Sequence, residues 1–175
     1  MLADAVRAAG PGQPVWPWTA DRSAGFWLRR MLHDEVVHRF DAEMALGIEG
    51  GLAADLAADG VSDVLDTMAT LSDRDRGHPA FVGLRGGGES MQLIATDPDV
   101  GTGGEWSVIR GATGVTWRYG HDQADVRVSG PSLHLLNRRL STDVAAVEIG
   151  EQQVLTGHWR SRRRVVVDPS RSRSR

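Results

Sequence analysis

The chain reads as an α+β protein, with helices first and a small antiparallel sheet after them. Three observations predict it. Phe26 to Gly47 has the length and pattern of one helix of about six turns. Beyond Ser72–Pro79 (SDRDRGHP) the composition shifts to short β-type runs separated by Gly, Asp and Pro clusters. Helical and strand segments also come in two blocks instead of alternating, which is the α+β order and not the α/β one.

In chain order, Met1–Gly10 looks like a short helix closed by glycine. Pro11, Pro14 and Pro17 break regular structure in the loop that follows. Trp16 and Trp18 are placed to pack on the next helix, and Thr19, Asp21 or Ser23 is placed to cap it. Gly47 ends that helix. Leu52–Ala58 reads as a short helical segment interrupted at Gly60, and Val61, Val64, Leu65, Met68 and Leu71 recur at helical spacing. The charged stretch from Ser72 to Pro79 suggests a boundary, so a helical domain is expected over 1–72. A second domain is expected over 80–159, with strands near 91–96, 105–110, 114–119, 124–129 and 147–149. Helices are expected over 132–140 and 152–159. Residues 160–175 read as a disordered Arg/Ser-rich tail.

Composition excludes several classes. The 175 residues contain no cysteine, hence no disulfide framework, thiolate zinc site or cysteine nucleophile. No apolar run approaches the about 20 residues of a membrane span, and no signal-peptide pattern is present, so a cytoplasmic location is expected. The formal net charge of −3 argues against specific nucleic-acid binding, although seven of the 20 basic residues, all arginines, fall in the last sixteen positions.

The helix from Phe26 carries the main candidates for chemistry. Projected at about 100° per residue it has an apolar seam of Phe26, Val37, Phe40 and Met44 and a polar flank with Glu35, Arg39 and Glu43. A third row holds Asp34, His38 and Asp41. A carboxylate and an imidazole at i and i+4 point the same way and can present one oxygen and one nitrogen to a metal ion. The bland alternative is an exposed intrahelical pair, with Arg29 or Arg30 pairing to Asp34. Two ligands are too few for a catalytic zinc site, which uses about three plus water. Asp41 or Glu35 is a further candidate donor. His33, on the apolar seam, reads as a core histidine.

The run FWLRRMLHDEVVHRFDAEMALG followed by LAADGVSDVL resembles the mycothiol-dependent maleylpyruvate isomerase family of actinobacteria. Its members show a pattern like W-x-R-R-x-x-H-E-x-x-V-H-R-x-D-A, matched here by Trp27, Arg29, Arg30, His33, Val37, His38, Arg39, Asp41 and Ala42. ADVRVSGPSLHLLNRR and GEQQVLTGHW are similar to the family's smaller, sterol-carrier-like C-terminal α+β domain, so the resemblance runs from about Val15 to Trp159. It implies a DinB-like four-helix bundle binding a divalent metal, with zinc the expected ion. It implies mycothiol or a similar low-molecular-weight thiol as cofactor, and a small carboxylate substrate. His38 stands at the family's second ligand position. Asp34 stands where the family has glutamate, one methylene shorter.

The family's earlier histidine ligand has no counterpart in this chain, which looks like the family with its first helices missing. A half bundle leaves apolar faces uncovered and is expected to need a partner chain, such as a second copy in a homodimer, or to fold poorly. Arg138 and Arg139 are the candidates for holding substrate carboxylates, because a guanidinium fork matches a carboxylate. Two readings therefore compete. One is a metal- and thiol-dependent cis–trans isomerase or thiol transferase. The other is a non-catalytic remnant or binding module of the same fold. A third and weaker one makes the basic tail a nonspecific polyanion contact.

Overall fold

The computed structural model describes residues 1–48, 50–74, 83–137 and 148–149. The chain divides into two compact units, Met1–Gly51 and Leu52–Arg175.

The first unit is built on two helices, α1 (Leu2–Ala9) and α2 (Ala24–Ala45). Gly10, at φ +90°, ends α1 where a side chain would be strained. The proline loop then folds back on the start of α2. Val15 N–H donates to the Arg22 carbonyl, and the N–H groups of Ala24 and Gly25 reach the carbonyls of Gln13 and Pro11, all at 2.8 Å. Among the three expected caps, Ser23 takes the role. Its Oγ accepts from the Phe26 N–H at 3.2 Å, while Asp21 Oδ1 accepts from the Ser23 N–H at 2.9 Å. Trp18 packs edge-on against Phe26 and Trp27, with ring centroids 5.6 and 4.8 Å apart. Trp16 contributes its carbonyl to Trp27 Nε1, at 3.1 Å, and leaves its ring largely exposed. At the far end Leu46 caps α2 and Gly47 turns at φ +68°.

The buried row of α2 is Ala24, Phe26, His33 and Val36. It is rotated from the expected seam, since Val37 and Phe40 are half-buried and Met44 is exposed.

In the second unit α3 (Ala54–Arg74) runs unbroken through Gly60. The expected interruption does not occur. An interior glycine costs a helix only about 1 kcal/mol, and Gly60 lies in a buried stretch with Ala57, Ala58, Val61 and Leu65, whose packing offsets that cost. Among the described residues five strands follow: β1 (Glu89–Ala95), β2 (Glu105–Gly111), β3 (Gly114–Tyr119), β4 (Val126–Gly130) and β5 (Glu148–Ile149). A single 3₁₀ turn at Gly101–Gly104 leads into β2, and α4 (Ser132–Asn137) follows β4.

The sheet order is β3-β2-β1-β4-β5. An all-antiparallel sheet was the expectation; three of the pairs are antiparallel, but β1 and β4 are parallel. The reason is the segment Gly120–Asp125, which crosses one face of the sheet instead of turning back beside β3. Gln92, wholly buried in mid-β1, clamps it there: Nε2 donates to the Gly120 carbonyl and Oε1 accepts from the Asp122 N–H, both at 2.9 Å. Asp125 then accepts from the Ser90 N–H and hydroxyl at 2.8 Å.

The opposite face holds the core, with Leu93, Trp106, Val108, Val115, Val126 and Val128 buried. Helix α3 packs on it through polar as well as apolar contacts. Ser62 Oγ accepts from Trp106 Nε1 at 2.9 Å and bonds the Tyr119 hydroxyl at 2.8 Å. Asp66 accepts from Trp117 Nε1 at 3.1 Å, and Ser72 Oγ accepts from the Val115 N–H at 3.0 Å. These bonds group α3 with the sheet, so the second unit starts at Leu52, upstream of the boundary the sequence suggests near Ser72. The expected helix over 152–159 and the tail over 160–175 lie outside the described residues. No helix among the described residues is long and apolar enough to cross a membrane.

Candidate functional site

Helix α2 positions the candidate metal pair by its pitch alone. Asp34 and His38 sit one turn apart, with His38 Nε2 3.7 Å from Asp34 Oδ2. Their shared row also contains Arg30, one turn before Asp34. Its guanidinium donates to Asp34 Oδ1 at 2.9 Å and is itself largely buried, at 14 % exposure. Asp34 is therefore gripped on one oxygen by a cation and approached on the other by an imidazole. His38 is 71 % exposed and Asp34 41 %.

This pair offers two donor types and no more. One carboxylate oxygen and one imidazole nitrogen are the donor types of a zinc centre. Yet no group of three or more His, Cys, Asp or Glu that could hold a metal occurs among the described residues. Asp41 and Glu35, offered by the sequence as further donors, do not join Asp34 and His38 in such a group. The Arg30 guanidinium also already neutralises the carboxylate a metal would need. The residues present do not fit a complete centre. His33 is wholly buried, as its place on the seam predicts. Arg138 and Arg139 lie outside the described residues.

A second polar cluster, which sequence reasoning missed, lies on the crossed face of the sheet. His121 Nδ1 is 3.0 Å from Glu105 Oε2, and its Nε2 is 3.1 Å from an Arg127 guanidinium nitrogen. Arginine has no acceptor, so Nε2 must accept and the ring proton sits on Nδ1, donated to Glu105. Asp122, beside it, binds Arg118. The Ser107 hydroxyl above all holds its carboxyl below the usual range; burial opposes it, and the Arg118 guanidinium adds to the lowering. Nothing in the spacing of these residues announces the cluster, because Glu105, His121 and Arg127 meet only through the crossover. Glu105 and Arg127 share His121 between them and Arg118 pairs with Asp122, which marks the cluster as a clamp on the crossing segment.

Residues 1–43 match the family model of the mycothiol maleylpyruvate isomerase N-terminal domain. The match covers α1, the proline loop and most of α2, including Arg30, Asp34 and His38, and it supports the resemblance read from the α2 motif. No curated protein and no solved structure matches the chain.

Proposed function

We propose that the protein serves thiol chemistry on a small unsaturated carboxylate, a reading supported by the match of residues 1–43 to the mycothiol maleylpyruvate isomerase N-terminal domain. The reaction is a mycothiol-dependent cis–trans isomerisation or the related thiol transfer. The observation that carries this reading is the Asp34–His38 pair, one turn apart on the helix that the family model covers. In the isomerisation, the thiol sulfur adds to the activated double bond and forms a C–S bond. Rotation about the resulting single bond follows, and the C–S bond then breaks to return the thiol and the alkene. Asp34 and His38 would be two donors to a divalent ion, zinc on donor type, only if a third donor joins them. Arg30 holds the Asp34 carboxylate in place. Arg138 and Arg139 are proposed as the carboxylate-binding pair.

A second reading, a binding module without a working site, is favoured by the Arg30 contact and by the shortage of donors among the described residues. Zinc content after dialysis against trace metal separates the two. Stoichiometric zinc that is lost in both Asp34→Ala and His38→Ala, together with thiol-dependent isomerisation of maleylpyruvate, supports the enzyme. Protein that stays metal-free, and is indifferent to both substitutions, is the binding module.

A further inference from the structure

One stripe of α2 is exposed along its whole length. Leu28, Leu32, Glu35, Arg39, Ala42 and Leu46 follow one another at spacings of four, three, four, three and four. That is the a/d repeat of a coiled-coil seam. Its leucines are exposed: Leu28 is 37 % exposed, Leu32 45 % and Leu46 74 %. The stripe lies on the opposite side of the helix from Phe26 and His33, so it is not part of the buried row.

We propose that α2 pairs through this stripe with α2 of a second copy of the chain, antiparallel, about a twofold axis level with Val37. The occupant is identified by self-complementarity. In the antiparallel register Leu28 meets Leu46 of the other copy, Leu32 meets Ala42, and Glu35 meets Arg39, each pair occurring twice by symmetry. A parallel pair would set Glu35 against Glu35 and Arg39 against Arg39, two repulsive layers at the centre of the seam. Arg39 has donors left for the contact. Its Nε lies 3.3 Å from Glu43 Oε1 and one terminal nitrogen donates to the Gly51 carbonyl at 2.9 Å, and a guanidinium carries five N–H groups. Asp34 and His38 stay outside the seam, with His38 flanking it near the axis.

Sedimentation velocity of the full chain over a concentration series tests the proposal. A reversible dimer is expected. Glu35→Arg alone and Arg39→Glu alone each place like charges in two layers and should raise the dissociation constant by about 100-fold or more. The Glu35→Arg/Arg39→Glu double variant restores opposite charges and should restore the dimer. Because all these positions are exposed, the variants keep their helical circular dichroism.

The chain has no cysteine, so orientation can be read by oxidation. Leu28→Cys with Leu46→Cys should cross-link two chains, whereas Leu28→Cys alone should not. The two positions lie about 27 Å apart along one helix, which forbids an intramolecular bond. A wild-type monomer at every concentration reached assigns the stripe to some other partner and overturns the proposal. So does a dimer indifferent to both single reversals, or efficient cross-linking of Leu28→Cys alone.

Discussion

The two units handle their polar and apolar groups in opposite ways. In the sheet unit polar side chains are turned inward and paired: Ser62 with Trp106 and Tyr119, Asp66 with Trp117, Ser72 with Val115, and Gln92 with the crossover. In the helical unit the ion pairs of Asp34, His38 and Arg39 are partly or largely exposed, and leucines stand open on α2. A buried polar group must be satisfied internally or it destabilises the fold. The sheet unit meets that demand at Ser62, Asp66, Ser72 and Gln92 through its own partners, whereas the helical unit turns its ion pairs and leucines outward. Substitutions in the sheet unit should therefore act on stability, and those in the helical unit on association and ligand affinity.

The largest expected effect tests this contrast at two glycines. At Gly114, φ is +143° and an added Cβ would lie 2.2 Å from Ser72 Oγ and 3.1 Å from the Ser72 backbone carbon. Gly114→Ala should cost about 3 kcal/mol by thermal unfolding, through strain and overpacking together. Gly12 in the helical unit meets nothing within 4 Å, and Gly12→Ala should change stability by less than about 0.5 kcal/mol. Equal effects at the two sites would break the comparison.

Gln92 comes next. Gln92→Met keeps the volume but strands the Gly120 carbonyl and the Asp122 N–H. The expected loss is about 2 kcal/mol, the usual cost of leaving buried partners unsatisfied. Hydrogen exchange at the Asp122 amide should quicken with it. An Asp122 amide as protected as in the wild type would show that the crossover does not depend on this side chain.

Much of this architecture is legible in the sequence, and the exceptions share a cause. Period-two runs mark the first four strands to within about two residues, and the Ser23 cap and Gly47 stop follow from residue type. The unbroken α3, the parallel β1–β4 pair and the sheet-bound position of α3 do not follow. Each depends on a contact between distant residues: Gly60 within a packed face, Gln92 beneath Gly120–Asp125, and Ser72 against Val115. The same division holds for the sites. Asp34, His38 and the Arg30 grip are local to one helix and readable at i, i+4. Glu105, His121 and Arg127 converge from two strands and a crossover, and no spacing rule finds them.

Asp97 gives a pH-dependent version of the sheet unit's internal pairing. Its Oδ2 accepts from the Ser132 N–H at 2.6 Å and the Ser132 hydroxyl at 2.5 Å, fixing the start of α4. Burial pushes the Asp97 carboxyl up, but the two Ser132 bonds, the Asp97 backbone N–H and the charge of His134 together lower it, and the group titrates below its ordinary value. A carboxyl lowered on folding stabilises the protein above its unfolded pKa of about 3.9, and that stability is lost as pH falls through the folded value. Asp97→Asn should thus cost about 1 kcal/mol at neutral pH. The gap to the wild type should close in acid, as followed by urea unfolding at a series of pH values. A gap that persists unchanged below the folded value would place the effect in packing and not in charge.

The smallest effect on stability is expected at Arg30, where the helical unit's character is most exposed to test. Arg30→Gln removes an ion pair whose acidic partner is 41 % exposed, so the fold should change by no more than about 0.5 kcal/mol. Affinity should respond in the other direction. With the guanidinium gone, Asp34 Oδ1 loses its ion-pair partner and the positive charge beside it, and zinc binding measured by competition with a chromogenic chelator should tighten several-fold. The gain should vanish when Arg30→Gln is combined with His38→Ala, since a single carboxylate does not hold zinc against the chelator. Unchanged zinc affinity in Arg30→Gln would mean that Asp34 serves the salt bridge alone, leaving the exposed leucine stripe as the helical unit's outward-facing feature.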